Sequence, residues 1–278
     1  MSRVLVFGAG YLGRRLSRDL PNAVSSAADI ADAPAVKTAL AEHRPDVVVN
    51  AAGKTGKPNV DWCETHQSET YRSNVIGPLT LADACAAHGV HLVHLGSGCI
   101  FYGPSPSAGG FREDDFANPI SFYSRTKYAA DLVLSKLAHV AIARLRMPID
   151  ATPHPRNLIT KLAGYPVVVD VENSATVVQD LVTAVARMVE VKPSGVFHVV
   201  NPGILRHRDL IALYRELVDP GHQAELVPAG DLLKRGLIQA ARSNCLLASD
   251  RLADIGVQLR PMDVALRDAM EHYAQASE

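Results

Sequence analysis

The feature that most constrains this chain lies at its start. The apolar run Val4-Leu5-Val6-Phe7 passes directly into Gly8-Ala9-Gly10-Tyr11-Leu12-Gly13, followed by residues with helical spacing. A GxGxxG loop between a strand and a helix lets the chain turn tightly. It also lets backbone approach a pyrophosphate at the positive end of the helix. In that context Gly8, Gly10, Tyr11, Leu12 and Gly13 read as a dinucleotide cradle rather than a structural turn. An acid about 20 residues on usually takes the ribose hydroxyls, and Asp29, followed by Ile30, is the candidate. A surface turn acid explains Asp29 equally well. Arg14 and Arg15 lie beside the loop and offer charge for a 2′-phosphate, although helix-surface arginines are usually only solvated. NAD and NADP both remain open at this point.

The rest of the chain fits the same plan. Apolar, β-branched runs at 4–7, 47–50, 91–95 and 140–144 alternate with helical patterns at 12–20, 35–43, 71–88 and 123–137. A further helix is expected over 176–189 and a strand over 195–200. Such alternation predicts an α/β fold with a Rossmann-type, doubly wound parallel sheet, its ligands at the strand C-termini. The predicted core is 1–146, with 174–200 returning to it. Residues 147–173 and 201–278, richer in proline and weaker in periodicity, are expected to build a smaller substrate lobe from insertions.

Composition narrows the functional classes. At 278 residues the chain can bury a real core without staples. A formal net charge of −1 offers no footprint for nucleic acid or an anionic membrane surface. No apolar stretch approaches the roughly 20 residues that span a bilayer, and residues 4–7 are too short for a signal segment. Cys63, Cys85, Cys99 and Cys245 form no CxxC pair, so reduced thiols in a cytoplasm are expected, with no metal site.

Two positions carry recognisable acid–base chemistry. Tyr123 and Lys127 are four apart on a predicted helix and so share a face. An ammonium near a phenol favours phenolate, which makes the tyrosine a usable proton donor to a carbonyl during hydride transfer. Ser97 and Cys99 leave the strand at 91–95 with i, i+2 spacing, so both side chains are expected to face the strand-end pocket. The other three cysteines read as small buried hydrophobes.

The glycine loop, Asn50-Ala51-Ala52-Gly53, Ser97 and Tyr123-x-x-x-Lys127 together resemble an extended short-chain dehydrogenase/reductase of the dTDP-4-dehydrorhamnose reductase branch. Longer strings resemble the plant-type nucleotide-rhamnose synthase/epimerase-reductases. They include Pro58-Asn59-Val60-Asp61-Trp62-Cys63-Glu64, Gly98-Cys99-Ile100-Phe101, Arg146-Met147-Pro148-Ile149, Asn157-Leu158-Ile159-Thr160-Lys161 and Arg242-Ser243-Asn244.

The resemblance implies a bifunctional 3,5-epimerase/4-ketoreductase acting on a nucleoside-diphosphate 4-keto-6-deoxyglucose, with UDP favoured. It implies NADPH as cofactor, NADH being possible, and a homodimer. Ser97, Tyr123 and Lys127 match the reductase positions, and Cys99 and Lys161 the epimerase acid/base pair. Ala51, Ala52, Gly53 and Thr55 would line the cofactor, with Lys57 nearby. Asn74, Arg146, Asn157, Arg242 and Asn244 are the candidate substrate-side residues, with Asp61 and Trp62 bordering the sugar and His207 structural.

Two features depart from that family. Its loop reads GxxGxxG, one residue longer than here. The Gly-, Pro- and Ser-rich stretch 103–115 also differs, and is expected to be a flexible segment that alters sugar or nucleotide choice. The alternatives are a 4-ketoreductase without full epimerase activity and a non-catalytic dinucleotide-binding regulatory subunit.

Overall fold

The computed structural model describes residues 2–239 and 241–277. Its first half runs β1 (Val4–Phe7), α1 (Tyr11–Asp19), β2 (Ala23–Ser26), α2 (Ala33–His43), β3 (Val47–Asn50), α3 (Trp62–Thr65), α4 (Gln67–Tyr71), a π-helical turn (Arg72–Ile76), α5 (Gly77–Ala87), β4 (His91–Ser97), α6 (Phe122–Leu134) and β5 (Val140–Leu145). The second half carries β6 (Pro148–Ile149), α7 (Leu158–Ala163), β7 (Val167–Val169), β8 (Glu172–Asn173), β9 (Thr176–Val177), α8 (Val178–Val191) and β10 (Gly195–Val199). It ends with β11 (Leu205–Arg206), α9 (His207–Leu217), β12 (Glu225–Val227), α10 (Asp231–Lys234) and α11 (Met262–Gln275).

Six strands form one parallel sheet in the order β10-β5-β4-β3-β1-β2. The order reverses between β1 and β3, so a crevice opens where the loops after those strands diverge, the usual ligand position in such sheets. β1 and β3 are buried along their whole length, as a parallel sheet covered on both faces requires. One face packs Val4, Val6, Val49 and Val93 against α1 and α8; the other packs Leu5, Phe7, Val48 and Leu92 against α2, α5 and α6.

A separate apolar cluster joins Ile149, Ile159 and Leu162 to Leu210, Ile211, Leu266 and Met270, drawing on α7, α9 and α11. The stretch after residue 201 is divided: Leu252, Val257 and Leu259 pack into the sheet's own core, and Cys245 and Leu247 pack beneath the end of β4 with Ile100 and Phe101.

Four local expectations change. β2 escaped the periodicity reading because its four residues, Ala-Val-Ser-Ser, form an edge strand exposed at Val24 and Ser25. The single helix expected over 71–88 is broken by the π-turn. Pro78 has no N–H for the carbonyl of Asn74 and its ring crowds that carbonyl, so the helix widens there. The helix expected from residue 176 begins two residues later, because Thr176 and Val177 pair with β6. The stretch 103–115 is not loose throughout: Phe111 stacks on Phe101 at 4.4 Å, exchanges backbone hydrogen bonds with Leu246 and Ala248, and precedes a buried Glu113. Among the described residues, no helix is long and apolar enough to cross a membrane.

Candidate active site

The glycine loop has the shape its sequence implies. Gly8 adopts φ +102°, and a Cβ there would sit 2.5 Å from the Ala52 backbone nitrogen, so glycine lets the loops after β1 and β3 close together. A Cβ on Gly13 would run into the Gly8 carbonyl, whereas one on Gly10 would meet nothing within 4 Å. The side opposite the sheet is therefore open. α1 starts at Tyr11 with no side-chain cap and no acid in its first turn. Its first N–H groups and positive dipole end face outward, a chemistry suited to a pyrophosphate.

The neighbouring positions divide into open and engaged. Arg14 is exposed, with Nε donating to the Ala9 carbonyl at 2.8 Å. Arg15 instead pairs with Asp19 and, at 2.8 Å, with Asp150, so it is engaged within the fold. The Tyr11 hydroxyl donates to Asp150 at 2.8 Å and its ring stacks on His154 at 4.3 Å. Tyr11 thus contributes its backbone to the loop, while its side chain ties α1 to the segment before α7. Asp29 is exposed, accepts from the Ala31 N–H at 2.9 Å and faces Arg72 at 3.1 Å. Ile30 is buried beneath Gly77. Thr55 accepts from Arg156, whose other Nη donates to the Gly56 carbonyl at 2.7 Å, so the hydroxyl first serves a loop contact. Lys57 is exposed.

The acid–base residues come together at the C-terminal end of β4. α6 begins immediately after Ser121, which caps it by accepting the Ser124 N–H, and Tyr123 and Lys127 then share the face toward β4. The Tyr123 phenol lies beside Ser97, and Ser97 Oγ accepts the Cys99 N–H at 3.2 Å. Burial raises the Tyr123 phenol; a charged Cys99 would raise it further, while the neighbouring Ser97 acts the other way. Lys127 Nζ donates to the Leu95 carbonyl at 2.9 Å and lies 3.2 Å from His94 Nε2. Burial pushes its ammonium down to about 8, against the opposing pull of Asp131.

Cys99 is half-buried, whereas Cys63, Cys85 and Cys245 are buried with their thiols pushed up by desolvation, Cys85 to about 12. The Arg146 guanidinium lies 3.7 Å from Cys99 Sγ. Lys161, on α7, is held below the ordinary lysine range by burial first and by the Arg156 charge next; a charged Cys99 would act in the opposite direction. The fold therefore sets Cys99 within electrostatic reach of Tyr123 on one side and of Lys161 on the other, although α7 belongs to the second cluster.

Four of the five substrate-side candidates are engaged in holding the walls. Asn74 is buried at the π-turn, where it accepts the Lys54 N–H at 2.8 Å and donates to the Lys54 carbonyl at 2.9 Å and to Thr126. Asn157 is fully buried, caps α7 through the Ile159 N–H and donates to the Asp150 carbonyl. Both secure backbone and have no surface left for a sugar. Arg146 is also buried, donating to Ser243, to Asn173 and to the Gly98 carbonyl, so it buttresses the Cys99 loop. Arg242 makes a two-point ion pair with Asp61 at 2.7 and 2.8 Å. Asn244 is half-buried, its carbonyl accepting the Gly103 N–H. Trp62 is half-buried and stacked on His66 at 3.9 Å, and His207 is buried with Nδ1 at 2.8 Å from the Val169 carbonyl.

His94 and Asn50 were not among the sequence candidates. A histidine inside a β-branched run carries no motif, and only the three-dimensional packing brings it to Lys127.

The profile of the RmlD substrate binding domain matches residues 2–213. The chain belongs to that family. A bifunctional dTDP-4-dehydrorhamnose 3,5-epimerase/dTDP-4-dehydrorhamnose reductase of Arabidopsis thaliana is 40% identical over 215 residues, covering 75% of this chain and 71% of the relative. The crystal structure of the L780 UDP-rhamnose synthase from Acanthamoeba polyphaga mimivirus superposes with a TM-score of 0.90 at 30% identity, covering 98% of this chain and 99% of that one. The dTDP-4-dehydrorhamnose reductase of Bacillus anthracis, solved with NADP, gives 0.81 at 21% identity over 98% of each chain, a likeness of fold. The Rossmann-like α/β fold and the reductase family expected from the sequence both hold.

Proposed function

We propose that this chain is an NADPH-dependent bifunctional enzyme that epimerises a nucleoside-diphosphate 4-keto-6-deoxyglucose at C3 and C5 and reduces it at C4 to the L-rhamnose sugar. The observation that carries this reading is a half-buried thiol, Cys99, two residues beyond Ser97 and within electrostatic reach of both Tyr123 and the desolvated Lys161. A plain ketoreductase needs the serine, tyrosine and Lys127; it has no chemical use for Cys99 and Lys161 placed beside them.

The steps follow from acidity. Carbons 3 and 5 flank the ketone, so removing either proton gives an enolate whose oxygen Ser97 and Tyr123 are suited to stabilise. Cys99 and Lys161 would take a proton from one face and return one to the other; burial, which lowers Lys161's basicity, favours that exchange. Tyr123 then protonates the C4 oxygen as reduction occurs, with Lys127 behind it. NADPH, when bound, supplies the hydride. The loop of Gly8, Gly10 and Gly13, the uncapped α1 terminus and exposed Arg14 are the residues suited to hold it.

UDP is the favoured nucleotide, dTDP the next, and a homodimer the expected assembly. The test is incubation with UDP- and dTDP-4-keto-6-deoxyglucose and NADPH in heavy water, read by mass spectrometry and NMR. Deuterium at C3 and C5 in an L-rhamnosyl product supports both activities. Reduction without exchange leaves a 4-ketoreductase, and no turnover of either sugar overturns the reading.

A further inference from the structure

A buried chain of polar groups runs behind the Tyr123–Lys127 pair, and its hydrogen-bond polarity can be read from one end. The Ala52 backbone N–H donates to Asn50 Oδ1 at 3.0 Å, and a backbone N–H has no alternative polarity. Asn50 must therefore turn Nδ2 toward His94 Nδ1, 3.0 Å away, which makes Nδ1 an acceptor. A neutral His94 then carries its proton on Nε2, aimed at Lys127 Nζ at 3.2 Å. His94 is wholly buried, and burial together with the neighbouring lysine holds it in the neutral form.

An ammonium at Lys127 can serve the Leu95 carbonyl but not a second donor facing it from His94; an uncharged amine can accept from His94 and donate to Leu95 at once. We propose that His94, locked as an Nε2–H donor by Asn50 and the Ala52 amide, holds Lys127 as a hydrogen-bond acceptor and so limits the pH range over which the Tyr123–Lys127 pair carries a positive charge. His94 and Asn50 are positioning residues acting through Lys127, and this role rests on the reading of Tyr123 and Lys127 given above.

The surrounding groups are few. From α6, Asp131 favours the ammonium, but it is buried and paired with Arg144 of β5 at 3.0 Å. Tyr123 lies one turn back on α6, with Ser97 and Cys99 at the end of β4 and Cys63 of α3 beyond it. From the π-turn, Asn74 is engaged with Lys54 and Thr126. His94 is thus the group whose orientation decides whether Lys127 meets a donor or an acceptor.

Two readouts test this without reference to catalysis. Long-range 1H–15N NMR of the histidine rings in the intact protein should show His94 as the Nε2–H tautomer; an Nδ1–H tautomer overturns the proposal. The Lys127 titration, followed by 13Cε shifts in lysine-labelled protein, should move up by about one pH unit or more in His94→Phe, because a donor to the neutral amine has been removed. A downward movement would mean that His94 accepts from the ammonium, and no movement would mean that it is indifferent; either overturns the proposal. If His94→Phe does not fold, Asn50→Asp serves instead. Its carboxylate can accept from both the Ala52 N–H and His94 Nδ1–H, so the ring should switch to the Nδ1–H tautomer, and a ring remaining Nε2–H refutes the chain of polarity. Failure to turn over either keto-sugar, with the tautomer and titration as expected, would defeat the functional reading while leaving the control of Lys127's charge by His94 intact.

Discussion

The Ser97–Tyr123–Lys127 corner and the corner proposed for Cys99 and Lys161 are held in place by different means. Ser97 ends a central strand, and Tyr123 and Lys127 occupy a capped 13-residue helix laid against that strand, so regular hydrogen bonding and a deep core fix all three. Cys99 lies in a short 3-10 turn beyond the strand, propped by Arg146, and Lys161 rides on a six-residue helix belonging to another cluster. The first corner is a property of the sheet. The second depends on buried polar contacts that join the sheet to the segments after residue 146, among them Tyr11 to Asp150, Arg156 to Gly56 and Arg146 to Ser243. The groups proposed for reduction sit in the rigid part. The groups proposed for epimerisation sit where segments must be brought into register.

The largest expected effect falls on the sheet corner. Tyr123→Phe should lower keto-sugar reduction, followed by NADPH absorbance, by about a thousandfold, because the proton donor to the C4 oxygen is gone. Tyr123→Phe with near-normal turnover would remove the corner from the reaction. Cys99→Ala should instead lower deuterium incorporation at C3 and C5 by about a hundredfold. The same variant should reduce a pre-epimerised 4-keto-rhamnosyl substrate within a few-fold of the parent rate, so equal losses of both activities would collapse the distinction between the corners.

Both regions should respond to acid, since burial also holds His207, at the start of α9, below its ordinary range. Burial holds His91 at about 4 and His198 at about 3, and His94 well below its ordinary range, all of them on β4 or β10. As pH falls below about 6.5 the unfolded chain takes up protons that these folded histidines refuse, so folding stability is lost on acidification, continuing down to the folded values. Between pH 6.5 and 5 the loss is roughly 2 kcal/mol per histidine, readable in denaturant midpoints. His198→Gln keeps a donor for the Ala248 carbonyl and an acceptor for Arg144, and should flatten that slope. An unchanged slope would move the acid sensitivity elsewhere.

The smallest effect is expected at the rim of the second corner. Asp61→Asn weakens the half-buried pair with Arg242 and should cost about 1 kcal/mol or less in stability. If Arg242 is then released toward the diphosphate, KM for the nucleotide sugar should fall while kcat holds. A rise in KM would show that the pair itself shapes the pocket.

Some of this was legible in local sequence because it depends on local chemistry. The strand–glycine–helix pattern required a loop that only glycine at positions 8 and 13 can form, and the four-residue interval put Tyr123 and Lys127 on one helix face. Resemblance over longer strings added Lys161 to the candidates and paired it with Cys99. Side-chain partners were not legible, because they follow from contacts between distant segments. Asn74, Asn157 and Arg146 look like ligand contacts in a string of letters, yet each is buried and already bonded to the protein. His94 looks like an ordinary interruption of an apolar strand, yet it stands behind the Tyr123–Lys127 pair. By itself the sequence determined which backbone shapes were possible and which reactive groups were present. Only the tertiary structure decided which of those groups face the crevice and which are consumed in building it, because a buried polar atom must find a partner wherever the fold supplies one.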